Sequence, residues 1–216
     1  MATDHASSIQ GVALVVSRLT APGAVQTGAK AAYATSAFMK FGFTPEYTEG
    51  DEIEEKAADG SVCVYWKSPD TLKRVTFSLT ICDPSPELTE MLVGGALLTD
   101  GAEVVGYAAP ETGTDSTPNG VGFEVWSRAV VKGGKQAPTG PYWRWVFPYA
   151  KMKFTGERAM ENGMMANEFE GWGIGNPLYD DGPLGTWDHG STKPFQYARD
   201  DTAPLGINDY LAVSGS

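Results

Sequence analysis

GVGFEVWSRAVV, residues 120–131, and PYWRWVFPYAKMKF, residues 141–154, decide the fold. Both read as long strands, joined by the flexible connection KGGKQAPTG at 132–140. In the second, alternation places Trp143, Trp145 and Phe147 on one face and Tyr142, Arg144 and Val146 on the other. Both faces are therefore partly apolar. That pattern predicts a strand covered on two sides or buried by a partner chain.

More strands flank this pair. GVALVVSRLT (11–20) reads as a buried strand, and AYATSAFMKFGFTPEY (32–47) sets Phe41, Phe43 and Tyr47 at strand spacing. TEGDEIEEKAADG (48–60) has one strong apolar residue, Ile53, and predicts a long exposed hairpin tip. SVCVYWK (61–67) and RVTFSLTIC (74–82) alternate well and are expected to pair with each other around SPDTLK. Such a hairpin would not join Cys63 to Cys82, so both are expected as reduced core residues.

One short helix is predicted, in DPSPELTEMLVGG (83–95). Ser85 suits the N-cap and Pro86 the first helical position, where its missing N–H is not needed. Leu88, Met91 and Leu92 form an i, i+3, i+4 stripe, and Gly94–Gly95 end the helix. A turn-rich loop, AAPETGTDSTPNG (108–120), follows a short strand at Val104–Tyr107, and ANEFEGWGIG (166–175) reads as a last strand. Beyond it, residues 171–216 carry eight Gly, four Pro and scattered aromatics with no period. The division expected is a β-rich domain over 1–171 and an arm over 172–216 that packs on its own or a neighbouring subunit. The arm is expected to be mobile in the monomer, since its aromatics have no evident partner within the chain.

Composition supports a β-rich reading. The 216 residues are 42% hydrophobic and 20% charged, with 26 Gly and 14 Pro, a content that opposes an all-helical bundle. The net charge of −11 opposes docking on DNA or anionic lipid. It is unevenly spread: residues 46–59 hold seven acids and one base, residues 128–158 seven bases and one acid, and residues 161–216 nine acids and two bases. Blocks of opposite sign can meet across a self-association interface and set its register. MATDHASSIQ lacks the basic start of a signal peptide, and no apolar run approaches a membrane span, so a soluble product is expected.

Catalytic and metal templates find little support. Two histidines, His5 and His189, and two cysteines at unsuited spacing match no zinc pattern. There is no G-x-S-x-G, P-loop or H-E-x-x-H, and GWGIGNP precedes no helix. Glu124, Glu168 and Glu170 beside Trp126 and Trp172 offer a weak case for glycosidase carboxylates. An alternative is a carbohydrate-binding β-sandwich module with Asp180, Asp181 and Asp188 as calcium ligands, although YDDGPLGTWD does not follow the EF-hand pattern. No enzyme activity and no cofactor are expected.

Taken in order, residues 44–95, GVGFEVWSRAV, PYWRWVFPYAKM and ANEFEGWGIGNPLYDDGPLGTW resemble the major tail tube protein of long-tailed siphophages, especially those of actinobacterial hosts. The resemblance spans roughly residues 30–190 and rests on segment order and the E-x-W plus YW-x-W-V-x-P pair. It implies a mainly β fold, a β-sandwich or partial barrel with one short flanking helix, extended loops and a C-terminal arm. It implies six copies in a ring, their sheet edges joined into a closed luminal barrel, and rings stacked into a tube that conducts DNA during genome ejection. Closing a barrel between chains removes open edges.

By the same resemblance, the hairpin at 45–60 reaches an adjacent ring, and residues 132–140 and 172–216 lock subunits together. Contact residues expected on this reading are Glu49, Asp51, Glu52, Glu54, Glu55, Arg128, Lys132, Lys135, Trp172 and Trp187. Glu124 is the candidate lumen-facing acid, because negative groups keep DNA from sticking to a conduit wall. The bases of 128–158 are expected mostly at subunit or ring contacts. Further partners implied are the tape measure, tail terminator and distal tail proteins. The implied location is the virion tail, assembled in the host cytoplasm, with DNA passing unbound and no membrane contact.

Overall fold

The structure, a computed structural model, describes residues 6–82, 85–115, 117, 119–131, 141–156, 167–185, 189 and 192–214. These form β1 (Ala6–Arg18), β2 (Gly28–Thr35), β3 (Phe38–Thr48), β4 (Glu52–Lys56), β5 (Val62–Lys67), β6 (Thr71–Ile81), α1 (Pro86–Val93), β7 (Ala96–Asp100), β8 (Glu103–Ala108), β9 (Val121–Val131), β10 (Tyr142–Phe154), β11 (Asn167–Gly173), β12 (Gln196–Asp200) and β13 (Asp209–Val213). The fold is mainly β with one short helix, and every strand pairing is antiparallel.

Nine strands make one sheet, ordered β13-β2-β1-β9-β10-β11-β6-β3, with β12 attached to β10. The length of β10 lets it serve three neighbours. Its first half, Tyr142–Val146, lies between β9 and β12, and its second half, Ala150–Phe154, pairs with β11. Among the described residues the sheet bends into a partial barrel and does not close, so β3, β13 and the branch strand β12 are its edges. A corner at Ser36–Ala37 turns the chain directly from β2 into β3, and Thr35 Oγ1 holds it by accepting from Ala37 N at 2.9 Å.

Alternation divides the core as the two decisive strands predict. Phe123, Val125 and Phe147 join Leu14, Val16, Phe77, Leu79 and Phe169 in the larger apolar cluster inside the bend. Trp126 and Tyr142 join Ala13, Val15 and Val213 on the opposite face. The helix closes one end of the larger cluster with Leu88, Met91, Leu92 and Val93. Its predicted cap is present: Leu88 N donates to Ser85 Oγ at 3.3 Å, and Pro86 stands in the first turn. Glu90 ties the helix to β1 through a bidentate pair with Arg18.

Three expectations need correction. Val62–Lys67 pairs with Glu52–Lys56 and not with Thr71–Ile81, which instead lies between β3 and β11. Alternation identifies a strand but not its partner. The turn decides it here: Gly60, at φ +83°, lets Ala57 N donate to Ser61 O at 2.8 Å and closes β4 onto β5. In consequence Cys63 is exposed and Cys82 half-buried, so the pair is not a core feature. Finally, the aromatics beyond residue 171 do find partners in the chain. Tyr197 stacks on Trp145, Tyr210 meets Tyr33 edge-on, Trp172 lies 6.0 Å from Tyr149, and Tyr179 is buried. The chain beyond 171 also supplies β12 and β13 to the main sheet.

Candidate functional site

Two features stand out, an arm that projects from the sheet and an ion pair sealed within it. The arm continues the β3–β6 ladder, whose last cross-strand pairs are Tyr47–Leu72 and Thr48–Thr71. After a short junction the chain re-pairs as β4–β5, starting at Glu52–Lys67. The junction is tight. Gly50 N donates to Asp70 Oδ1 at 3.0 Å and Ser68 N to Asp51 O at 2.9 Å. A Cβ on Gly50 would sit 1.9 Å from Ser68 O, so glycine is required there by close approach. Beyond Gly50 the arm reaches roughly 23 Å to its turn, at ~3.3 Å per residue.

Every residue of β4 and β5 is exposed. Residues directly opposite one another share a face. Ile53 lies opposite Trp66 and Glu55 opposite Val64, so Ile53, Val64 and Trp66 make an apolar strip, each about half exposed. Glu52, Glu54, Tyr65 and Lys67 occupy the reverse face, where Lys67 pairs with Glu52 at 3.9 Å. An isolated two-stranded hairpin is marginal in water, and a contiguous exposed apolar strip marks an interaction surface. At the arm's base Arg74 Nε donates to Glu46 Oε2 at 2.5 Å, with Lys73 at 3.3 Å from the other oxygen. The Arg74 bond is the main cause holding the Glu46 carboxyl below its ordinary value. At the tip the Ser61 hydroxyl and then its backbone N–H lower Asp59.

The ion pair joins β9 to β10. Arg144 Nη2 donates to Glu124 Oε2 at 2.7 Å, and both side chains are wholly buried. The guanidinium lies over the Trp126 ring, 5.2 Å from its centroid, and its Nη1 is 3.6 Å from Asp200 Oδ2 on β12. Tyr179 Oη donates to Glu124 Oε1 at 3.3 Å and lies 3.1 Å from Ser17 Oγ. Gly182 covers the carboxylate so closely that an added Cβ would stand 2.6 Å from Oε1. His189 is buried beside Tyr179. Burial pushes the Glu124 carboxyl up, opposed chiefly by the Arg144 charge, and pushes the Tyr179 phenol well up. The network therefore fastens Tyr179, Gly182 and Asp200 onto the outer face of the sheet.

This geometry corrects the expectation that Glu124 faces a lumen, because a side chain with no exposure and a buried counter-ion presents no charge to a conduit. It equally removes Arg144 from the expected contact bases. Lys151 and Lys153 pair within the chain, with Asp115 at 2.8 Å and Glu170 at 2.9 Å. Glu168 and Glu170 are exposed, apart from the buried Glu124, so the three do not form a carboxylate pair for glycoside chemistry. Glu49, Asp51, Glu52, Glu54 and Glu55 are brought together on the arm and exposed. Arg128 and Trp172 are half-buried on β9 and β11. Lys132, Lys135, Trp187 and Asp188 lie outside the described residues. Sequence reasoning missed Glu124–Arg144, although the signal existed: each charge interrupts an apolar strand face, where only a partner makes it tolerable.

Among the described residues no three His, Cys, Asp or Glu side chains converge as a metal set, and no helix is long and apolar enough to cross a membrane. No protein-family model matches the chain, and no curated protein matches it. Among solved structures, the chain is similar to one of an extracellular contractile injection system, the PVC sheath/tube terminator in the extended state. That likeness has a TM-score of 0.33 at 13% identity and covers 74% of this chain and 88% of the other. A second, the PVC sheath-tube complex in the extended state, aligns with a TM-score of 0.32 at 12% identity over 74% of this chain and 83% of the other.

Proposed function

We propose that the protein is a tail tube subunit, a structural component whose copies assemble into stacked hexameric rings around a lumen that conducts DNA. The observation that carries this reading is the arm: a projecting hairpin with an exposed apolar strip and nothing of its own chain to cover it among the described residues. Open sheet edges at β3 and β13 add backbone donors and acceptors that a neighbouring copy can complete. The ordered resemblance of residues 44–187 to siphophage tail tube proteins supplies the assembly type. On this reading the arm joins adjacent rings, and tape measure, terminator and distal tail proteins are the further partners.

Mechanism is then a matter of geometry and association. Burial of the strip formed by Ile53, Val64 and Trp66 supplies apolar free energy at ~25 cal/mol per Å², while the acids around it select a basic or neutral counter-surface. Negative-stain microscopy of concentrated protein tests the proposal. Tubes or rings of uniform bore are expected, and Trp66→Ser with Ile53→Ser should leave rings that no longer stack, without lowering the unfolding midpoint. A particle that stays monomeric at every concentration overturns the reading.

A further inference from the structure

The bend of the sheet leaves a gap with a definite form. Among the described residues β1 pairs with β2 only over Leu14–Ser17, so residues 6–12 have β9 on one edge and no described strand on the other. β3, leaving the corner at Ser36–Ala37, pairs only with β6. The free edges of β1 and β3 diverge from the point where Phe38 lies against Gly11, at 2.8 Å from where a Cβ would be. Between them opens a groove of about 570 Å³, floored by Phe41, Phe43, Trp145 and Phe147. Met39 and Lys40 stand exposed on its rim, and among the described residues Lys40 is the charged one that lines it.

We infer that this groove receives the arm of a second copy. The inference rests on the reading of the arm as a contact between copies and names where the contact is made. Three relationships support it. An apolar strip meets an aromatic floor. Glu55, on the same face as the strip, meets a rim that carries Lys40. Backbone groups of an added strand meet two unpaired edges, as in β-strand addition. Position excludes a self-contact: the groove lies beside Phe38–Phe43 at the start of β3, and the arm leaves from Thr48 at its end, pointing away. Donor and receiver at opposite ends of one strand make a head-to-tail contact, which repeats along the strand direction.

Two variants separate the halves of the contact. In one, residues 52–67 are replaced by a Gly-Ser turn. In the other, Met39→Glu and Lys40→Glu repel the arm. Both changes fall on exposed residues, so circular dichroism and the unfolding midpoint should match wild type. Each variant alone should stop at unstacked rings, with at least a tenfold rise in the concentration needed to form tubes. Mixed in equal amounts they should form pairs of rings and stop, since one lacks the arm and the other a usable groove. In wild-type polymer, benzoylphenylalanine placed at Trp66 should cross-link to peptides containing residues 38–43. Tubes from the rim variant at wild-type concentration, no paired rings on mixing, or cross-links elsewhere would overturn the groove assignment while leaving the tube reading intact. Failure of the wild type to polymerise would count against the tube reading itself.

Discussion

Arg144 Nη2 donates to Glu124 Oε2 at 2.7 Å where neither side chain reaches solvent. Removing one member strands a charge in an apolar face, a change that costs about 3–5 kcal/mol. Arg144→Met should therefore destabilise the fold by that amount in urea unfolding, and Glu124→Gln by less, since the amide still accepts from the guanidinium. The double variant Glu124→Leu with Arg144→Met should recover most of the loss. Equal effects from single and double variants would contradict the pairing.

Gly122 faces Tyr179, and a Cβ there would sit 2.2 Å from the ring. Gly122→Ala should act as an overpacking substitution of about 1–3 kcal/mol. Tyr179→Phe, which keeps the ring and removes the hydroxyl between Ser17 and Glu124, should cost about 1 kcal/mol. Thermal unfolding of the two variants gives the ranking.

Gly50→Ala places a methyl where Ser68 O stands and must displace the junction of the arm. The global unfolding midpoint should move little, because β4 and β5 are exposed throughout. Assembly should fall sharply. Sedimentation of the variant against wild type at matched concentration reads this directly.

The Glu46 carboxyl is held low chiefly by its hydrogen bond from Arg74. Its folded value lies below the unfolded one, so the contribution is complete above ordinary carboxylate values of ~4.3 and fades as pH falls through the lowered value. The stability difference between wild type and Glu46→Gln should be constant above pH ~6 and shrink below pH ~4. A difference that grows on acidification would contradict this sign.

Local chemistry was legible in the sequence, and long-range pairing was not. Ser85, Pro86 and Gly94 mark the helix because capping depends on residues three or four apart. Alternation in Phe123–Trp126 and Tyr142–Phe147 separates two core faces before any partner is known. The pairing of Val62–Lys67 with Glu52–Lys56 is missed for a different reason: three acids in five residues hide a strand, although Asp59–Gly60 marks the turn between the two. The acidic character of residues 46–59 shows the arm to be exposed, but its apolar strip emerges only when Ile53 is set opposite Trp66. Glu124 and Arg144, 20 residues apart, become a pair only once β9 and β10 are in register.

The ladder from Ala6–Val131 to Arg18–Val121 joins the first strand to a segment more than 100 residues later, and β13 completes the sheet beside β2. During synthesis most of the first strand therefore waits, with only Leu14–Ser17 able to pair with β2, until β9 has emerged from the ribosome. The β13 edge cannot dock until residues 209–213 have been made. Contacts of such separation slow folding and expose nascent β-segments to aggregation. On the proposed assembly the delay also holds back incomplete chains, because the polar seal by which Tyr179 and Asp200 cover the Glu124–Arg144 pair forms only once residue 200 has been made.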